Sequence, residues 1–457
     1  MKNLIKERTG ARAPKARNPR DFRVPFQPVA LAKAVGWSSA ACCLKRRYQE
    51  EEGIMISRRV FLQSSAVSAF ALASRAGSAL AANAPGITDT EIKIGQTMAY
   101  SGPASAYGQI GRAEAVYFKV INEAGGINGR KINFLSLDDG YSPPKTVEQT
   151  RRLVEQEEVA FIFNSLGTPC NTAIRDYLNE NKVPQLFVAT GAGKFGDYQH
   201  YPWTIGWQPN YRTEAGIFAK HILATKPGAK VAILYQNDDF GKDYLIGMKD
   251  ALGDKYAALV IKEVSYEVSE PTIDSQVISL QGSGADTFVI AATPKFAAQT
   301  IRKSYDIGWK PVQYLTNVSI SIGAVMKPAG LEKGVGIMTS AYGKEPTDPS
   351  WKDDPGMKEW LAFMKDHMPA ADISDLNNAY GFGAAATLVQ VLKQCGNDLS
   401  RERIMKEAAN LHDFELPTLL PGIKINTSPT NYYPIRQMEL QRFDGQTWKL
   451  FGDVISG

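Results

Sequence analysis

The residues of this chain best placed to do chemistry are small, hydroxylated and rich in free backbone amides. Three stretches follow short apolar runs: Ala99-Tyr100-Ser101-Gly102-Pro103-Ala104-Ser105-Ala106-Tyr107-Gly108, Asn164-Ser165-Leu166-Gly167-Thr168-Pro169-Cys170 and Ala189-Thr190-Gly191-Ala192-Gly193-Lys194. Small side chains let backbone N–H groups approach a ligand, and the hydroxyls donate or accept. The second stretch opens a helical pattern with Pro169 near its start. Free N–H groups and the positive end of a helix dipole suit a carboxylate. Taken singly, each stretch also reads as an ordinary strand-to-helix turn.

Catalytic patterns fare worse. Gly191-Ala192-Gly193-Lys194-Phe195-Gly196 is formally G-x-G-x-x-G. A dinucleotide site needs a long helix opening at those glycines, and Asp197–Pro202 is not helical in pattern. Phe195 stands where a phosphate-binding loop needs Ser or Thr for magnesium, and Lys194 is expected on the surface. His200, His221, His367 and His412 pair with no other His or Cys at metal-ligand spacing, so neither metal nor cofactor is expected. Asp238-Asp239 and Asp353-Asp354 lie in turn contexts that favour helix capping. Cys170 reads as a small apolar wall residue rather than a nucleophile. With no G-x-S-x-G and no nucleophile–base–acid set, the chain is not expected to be an enzyme.

The elements that must position these loops alternate. Strand patterns at Glu91–Met98, Lys131–Leu137, Val159–Phe163 and Gln185–Ala189 are interleaved with helical patterns at Ile110–Val120, Pro143–Glu157 and Asn171–Asn181. The same grammar restarts after residue 210. There, helices at Tyr211–Thr225, Phe240–Leu252, Ile273–Gln281 and Lys295–Asp306 separate strands at Lys230–Tyr235, Leu259–Val264, Thr287–Ala291 and Val312–Thr316. Strands alternating with helices of this length mean right-handed βαβ crossovers and parallel sheets. Two series joined across Tyr201–Asn210 predict an α/β fold of two Rossmann-like lobes with parallel sheets and a hinge. The tail returns to helices (Pro355–His367, Leu376–Gln394, Arg401–Asn410) and ends in strands Tyr433–Arg442 and Thr447–Phe451. Ligands of open parallel sheets bind beyond the carboxyl ends of the strands, where the hydroxyl-bearing stretches fall.

At 457 residues, 44% of them hydrophobic, the chain has globular composition. Its net charge of +5 is misleading: 15 of 52 Lys/Arg but only 5 of 47 Asp/Glu fall in residues 1–81, leaving the body at net −5. The body therefore gives no reason to expect nucleic acid. Within residues 55–81, Ser57-Arg58-Arg59-Val60-Phe61-Leu62-Gln63, an Ala/Ser-rich stretch and Ala79-Leu80-Ala81 resemble a twin-arginine export signal. Residues 1–54 read as leader or a misassigned start, with Met55 as the expected true start. Cys170 and Cys395 are the only cysteines after the leader, and spacing leaves their pairing open.

A family resemblance rests on two motifs near the start of the body. Ile92-Lys93-Ile94-Gly95 with Ser101-Gly102-Pro103 and Tyr107-Gly108, followed by Ile121-Asn122-Glu123-Ala124-Gly125-Gly126-Ile127-Asn128-Gly129, resembles the opening of leucine/isoleucine/valine-binding proteins. Asp138-Asp139, Val231-Ala232-Ile233-Leu234-Tyr235, Asp239-Phe240-Gly241 and Gly334/Gly336 extend the likeness over roughly residues 88–450. Those proteins are periplasmic solute-binding subunits of ABC importers with the type I periplasmic-binding fold. The resemblance implies lobes at 88–208 with 340–436 and at 209–339 with 437–457, joined by a multi-strand hinge. It implies a monomer in the periplasm, a small carboxylate-bearing ligand in the cleft and a membrane permease as partner. Carried over position by position, it places ligand contacts at Tyr107, Thr168, Ala189, Gly191 (which replaces a hydroxyl residue, with Thr190 beside it), Phe240 and Thr293, and the first strand-end loop adds Ser101. Trp207, Tyr211 and Tyr342 add aromatic surface near the hinge. Amino-acid binders place an acid against the ligand's ammonium near Thr316-Asn317-Val318-Ser319, and this chain has Asn317 and no carboxylate there. An unpaired buried ammonium is costly, so an aromatic or aliphatic acid is expected beside the branched-chain amino acids as ligand class. The alternative is that Asp239 or Glu214 supplies the charge. A ligand sensor on the same fold, or a periplasmic enzyme, are the other function classes.

Overall fold

The structure, a computed structural model, describes residues 84–456. The expected leader (1–54) and export signal (55–81) lie outside the described residues. In the first lobe, β1 (Glu91–Met98), α1 (Gly108–Glu123), β2 (Lys131–Asp138), α2 (Pro143–Arg151), β3 (Ile162–Phe163), α3 (Thr168–Glu180), β4 (Gln185–Val188) and β5 (Thr204–Gly206) alternate. They build an all-parallel sheet of order β2-β1-β3-β4-β5. The second lobe continues with α4 (Tyr211–Thr225), β6 (Val231–Gln236), α5 (Asp239–Leu252), β7 (Val260–Tyr266), α6 (Asp274–Gln281), β8 (Thr287–Ala291), α7 (Pro294–Asp306), β9 (Val312–Leu315) and β10 (Met338–Ala341). Its order, β7-β6-β8-β9-β10, repeats the first lobe's connectivity strand for strand.

The tail supplies α8 (Pro355–His367), α9 (Asn377–Cys395) and α10 (Arg401–Ala408), and α9 packs on α1 of the first lobe. The chain then returns to add β11 (Gln437–Phe443) and β12 (Trp448–Ser456) to the second sheet beside β10. These two strands pair antiparallel, so the second sheet is mixed rather than wholly parallel. Three links therefore cross between the lobes: β5 to α4, β10 to α8, and the approach to β11.

Both faces of each sheet are covered, which is why its strands read as apolar runs rather than alternations. Along β6, Ala232 and Leu234 enter one core with Phe288 and Trp448, while Val231 and Ile233 enter another with Phe218 and Tyr244. Local structure departs from the sequence reading in several places. The helix expected over Pro143–Glu157 is α-helical only to Arg151 and continues as a wider π turn over Arg152–Gln156. The strands β5 and β10 carry no strand pattern, since three or four residues buried on both faces show no period. Cys170 and Cys395 are both buried and free. Cys170 packs with Met98 and Leu166, whereas Cys395 lies in a different core with Leu399 and Ile404. Among the described residues no helix is long and apolar enough to cross a membrane.

Candidate functional site

One cavity receives the carboxyl-end loops of nearly every parallel strand. Its walls take Tyr107 and Ile110 after β1, Tyr141 after β2, Leu166–Thr168 after β3, Ala189 after β4 and Trp207–Gln208 after β5. The second lobe adds Phe240 after β6, Thr293 after β8, Asn317, Val318, Ile320 and Ser321 after β9, and Ser340–Lys344 from the end of β10. The tail closes it with Leu376, Asn377, Ala379 and Tyr380 of α9 and its approach, and with Thr418 and Leu419. The empty space among these walls, counted out to its mouth, is about 990 Å³.

On the first-lobe side the wall holds an uncapped helix start. Helix α3 starts after Gly167, whose φ of 94° belongs to the left-handed region and which gives the helix no side-chain cap. The open N-terminal turn and the dipole end therefore remain available to a ligand. Thr168 Oγ shares a 2.6 Å hydrogen bond with Thr190 Oγ. Thr190 also accepts from the Ala192 amide at 3.1 Å, which leaves the Thr168 hydroxyl as the cavity-facing member of the pair.

The second-lobe side is satisfied internally. Asp238 caps α5 through the amides of Phe240 and Gly241. Glu214 of α4 is fully buried and takes four donors: the Asn317 amide (2.9 Å), Asn317 Nδ2 (2.7 Å), Ser340 Oγ (2.6 Å) and Tyr244 Oη. Burial pushes its carboxyl up to about 7, although the donors from Ser340, Tyr244 and Asn317 pull the other way. Asp239 is engaged by Lys194 Nζ at 2.8 Å. Neither acid lines the cavity, so the alternative in which Asp239 or Glu214 faces a ligand ammonium directly finds no support in the geometry.

Aromatic rings fill most of the rest. Tyr380 and Tyr342 meet Trp207 edge-on at 4.6 and 6.2 Å between ring centres, and Tyr211 meets Phe240 at 4.9 Å. Burial raises the phenols of Tyr107, Tyr141, Tyr211, Tyr342 and Tyr380, so these rings present neutral hydroxyls. Lys344 also lines the cavity, but its Nζ is spent on Asp354 Oδ1 (2.6 Å) and Pro417 O (2.9 Å).

Of the residues singled out by sequence, Tyr107, Thr168, Ala189, Trp207, Tyr211, Phe240, Thr293, Asn317 and Tyr342 line this cavity together. Three lie outside its lining. Ser101 is exposed and its hydroxyl is bound to Asp138 Oδ2 at 2.6 Å. Thr190 sits behind Thr168. Gly191 is covered, since a Cβ there would lie 2.2 Å from Pro209 O and 2.9 Å from the Tyr211 ring. Sequence reading passed over Tyr141, although it follows a strand end as the other loops do. It also passed over Ile110, Gln208, Tyr380 and Leu419, of which Tyr380 and Leu419 arrive from the tail through tertiary packing alone. Lys194, read as a solvated lysine, instead bridges the lobes. The loop at Gly191–Gly196 is a short 3₁₀ turn, not the long helix a dinucleotide needs. Asp238 and Asp354 cap α5 and α8, as their turn contexts imply. Among the described residues, no three His, Cys, Asp or Glu side chains are grouped to hold a metal ion.

A periplasmic binding protein family profile matches residues 91–447. The chain belongs to the periplasmic binding protein family. Leu/Ile/Val-binding protein homolog 1 of Brucella abortus is 25% identical over 327 residues, which is 69% of this chain and 82% of that one. A branched chain amino acid ABC transporter from Thermus thermophilus, solved with bound valine, superposes with TM-score 0.73 at 15% identity, covering 81% of this chain and 98% of that one. A fatty acid ABC transporter substrate-binding protein from Thermomonospora curvata gives 0.68 at 22% identity, covering 82% and 95%. The periplasmic binding protein fold thus accounts for the repeated strand order and for strand-end loops converging from two sheets.

Proposed function

We propose that this periplasmic binding protein is the extracytoplasmic solute-binding component of an ABC importer and that it captures a small organic acid lacking an α-ammonium group. The observation that carries this reading is the asymmetry of the cavity: an uncapped helix start with Thr168 on one side, and on the other no carboxylate that reaches the ligand space. A carboxylate seats at the α3 terminus, and Trp207, Tyr342, Tyr380, Tyr211 and Phe240 enclose a flat apolar body. Tyr107, Thr293, Asn317 and Ala189 complete the contacts. The fold accommodates both kinds of cargo named for its structural neighbours, valine and fatty acids, so the side chains decide.

The acid docks first on the first lobe. The second lobe then swings over it, driven by contacts made only when closed. The closed monomer is the shape that a membrane permease reads, and the solute leaves chemically unchanged. Export to the periplasm through Arg58-Arg59, with translation from Met55, belongs to the same reading. Titration calorimetry with leucine, benzoate and cinnamate tests the ligand class. Binding of the aromatic acids with no heat from leucine is the expected result, and tight leucine binding overturns it.

A further inference from the structure

Asn317 stands where the cavity meets the short turn after β9, and its orientation is fixed from behind. Its backbone amide donates to Glu214 Oε1 at 2.9 Å and its Nδ2 to Oε2 at 2.7 Å. A carboxylate offers only acceptors, and this one also draws in Ser340 Oγ and the Tyr244 hydroxyl. The side-chain amide of Asn317 must therefore turn its NH₂ toward Glu214 and its carbonyl oxygen away. Among the described residues no donor is assigned to that oxygen, and it is absent from the buried atoms left without a partner. It opens instead onto the cavity that Asn317 lines.

We infer that Glu214 is a positioning residue that makes Asn317 a neutral hydrogen-bond acceptor for the ligand, and that the solute is a hydroxylated organic acid. This rests on the acid-binding reading above and narrows it. The wall at Asn317 asks for a donor. A hydroxyl supplies one at a small desolvation cost, whereas an ammonium would give up its hydration for an uncharged oxygen. The Glu214 carboxylate behind is shared among four donors and does not touch the ligand space. An acid with neither group leaves the Asn317 oxygen unpaired once the cleft closes, which is how a polar wall rejects an apolar analogue. Two hydroxyls around the cavity already spend their protons within the wall. The Tyr107 hydroxyl donates to Val318 O at 3.0 Å, and that of Tyr380 donates to Gln208 Oε1 at 3.0 Å.

The test is calorimetry of the full-length mature protein with two matched sets: 3-phenylpropionate, phenyllactate and phenylalanine, and cinnamate against 4-hydroxycinnamate. The hydroxylated member of at least one set should bind roughly tenfold or more tighter than its deoxy partner. Phenylalanine should be the weakest of its set. Asn317→Leu should erase the hydroxyl preference by weakening the hydroxylated acid roughly tenfold relative to its deoxy partner. Glu214→Gln, which no longer dictates which way the Asn317 amide faces, should shrink the preference too, whereas a merely structural loss would weaken all acids alike. If Glu214→Gln does not fold, the Asn317→Leu comparison still decides. Acids that bind with no hydroxyl preference in the unmodified protein overturn this inference and leave the acid-binding reading standing. A panel in which only phenylalanine binds, or nothing does, overturns both.

Discussion

Two glutamates lie fully buried behind the cavity, one in each lobe, and their surroundings could hardly differ more. Glu114 of α1 has a single donor, Gln96 Nε2 at 2.6 Å, and its other oxygen has no partner. Glu214 of α4 has four. Burial raises both, but it holds Glu114 well above the ordinary carboxylate range while Glu214 comes only to about 7. Equal burial thus gives unequal proton affinity, and the number of donors makes the difference. A scarcely bonded carboxyl keeps its proton and behaves as a neutral polar group. A fully bonded one gives up its proton far more readily, and its oxygens order the amides and hydroxyls around it.

Removing each carboxyl breaks the comparison most directly. Glu214→Leu strands the Asn317 amide, Asn317 Nδ2, Ser340 and Tyr244 without an acceptor, and should cost about 3–5 kcal/mol in urea unfolding. Glu114→Gln replaces a carboxyl that must take up a proton to fold at pH 7 by a permanently neutral amide, and should leave stability at that pH unchanged or raise it. Equal losses for the two would show that donor count does not set the charge state.

A pH series sharpens the same point. The folded-state value of Glu214, about 7, lies above the unfolded value of 4.5. The folded protein therefore holds a proton that the unfolded chain has released between those values. This group's contribution to stability is greatest below pH 4.5, declines as pH rises to about 7, and is flat beyond. Glu345 adds a decline over the same window, because burial raises it to about 7 as well. Glu214→Gln should remove close to one proton's worth of slope from the urea midpoint between pH 5 and 7. Glu114→Gln should flatten that window too, because burial holds the folded group's proton well above the 4.5 at which the unfolded chain releases it.

How much of this was legible beforehand follows the same physics. Helix α4, strand β8 and helix α8 have the boundaries that periodicity implies, because Tyr211–Thr225, Thr287–Ala291 and Pro355–His367 carry full patterns with Asn210 or Asp354 at the helix starts. The strand-end loops were identifiable because parallel sheets put ligands there. The Glu214 network was not. A glutamate in the first turn of a helix reads as a dipole partner, and nothing in local spacing says that Asn317 and Ser340, over a hundred residues away, close around it. The tail's share of the wall was hidden likewise, since Tyr380 reaches the cavity only because α9 packs on α1.

Carboxylate anchoring is a contest between lobes that substitution can decide. Thr168→Val removes the hydroxyl beside the uncapped start of α3 and should weaken acid binding roughly tenfold or more, as loss of a charge-assisted hydrogen bond does. Thr293→Val, at the start of α7, should cost less than about threefold, because the Thr293 hydroxyl is already committed to Gln236 and Tyr266. The reverse order would move the anion to the second lobe.

The smallest expected effect lies at the rim, where the lobes touch. Lys194 Nζ of the first lobe meets Asp239 Oδ2 at 2.8 Å, and the neighbouring Gly193 amide donates to Asp243 Oδ2 at 2.6 Å. Arg175 braces the same turn by donating to Lys194 O at 2.9 Å while stacking on Tyr201. The ion pair is half exposed, so it contributes less than about 1 kcal/mol and fades with salt. It nevertheless joins a side chain of one lobe to a side chain of the other, so even a small contribution adds to holding them together. Lys194→Glu faces Asp239 and Asp243 with a like charge. It should enlarge the ligand-free radius of gyration in solution scattering and weaken acid binding by roughly two- to fivefold at low salt. Lys194→Glu with Asp239→Lys should restore both, and high salt should shrink the difference between unmodified and single-variant protein. An unchanged scattering curve for Lys194→Glu would place the closing force wholly in the cavity, with the rim a passive contact.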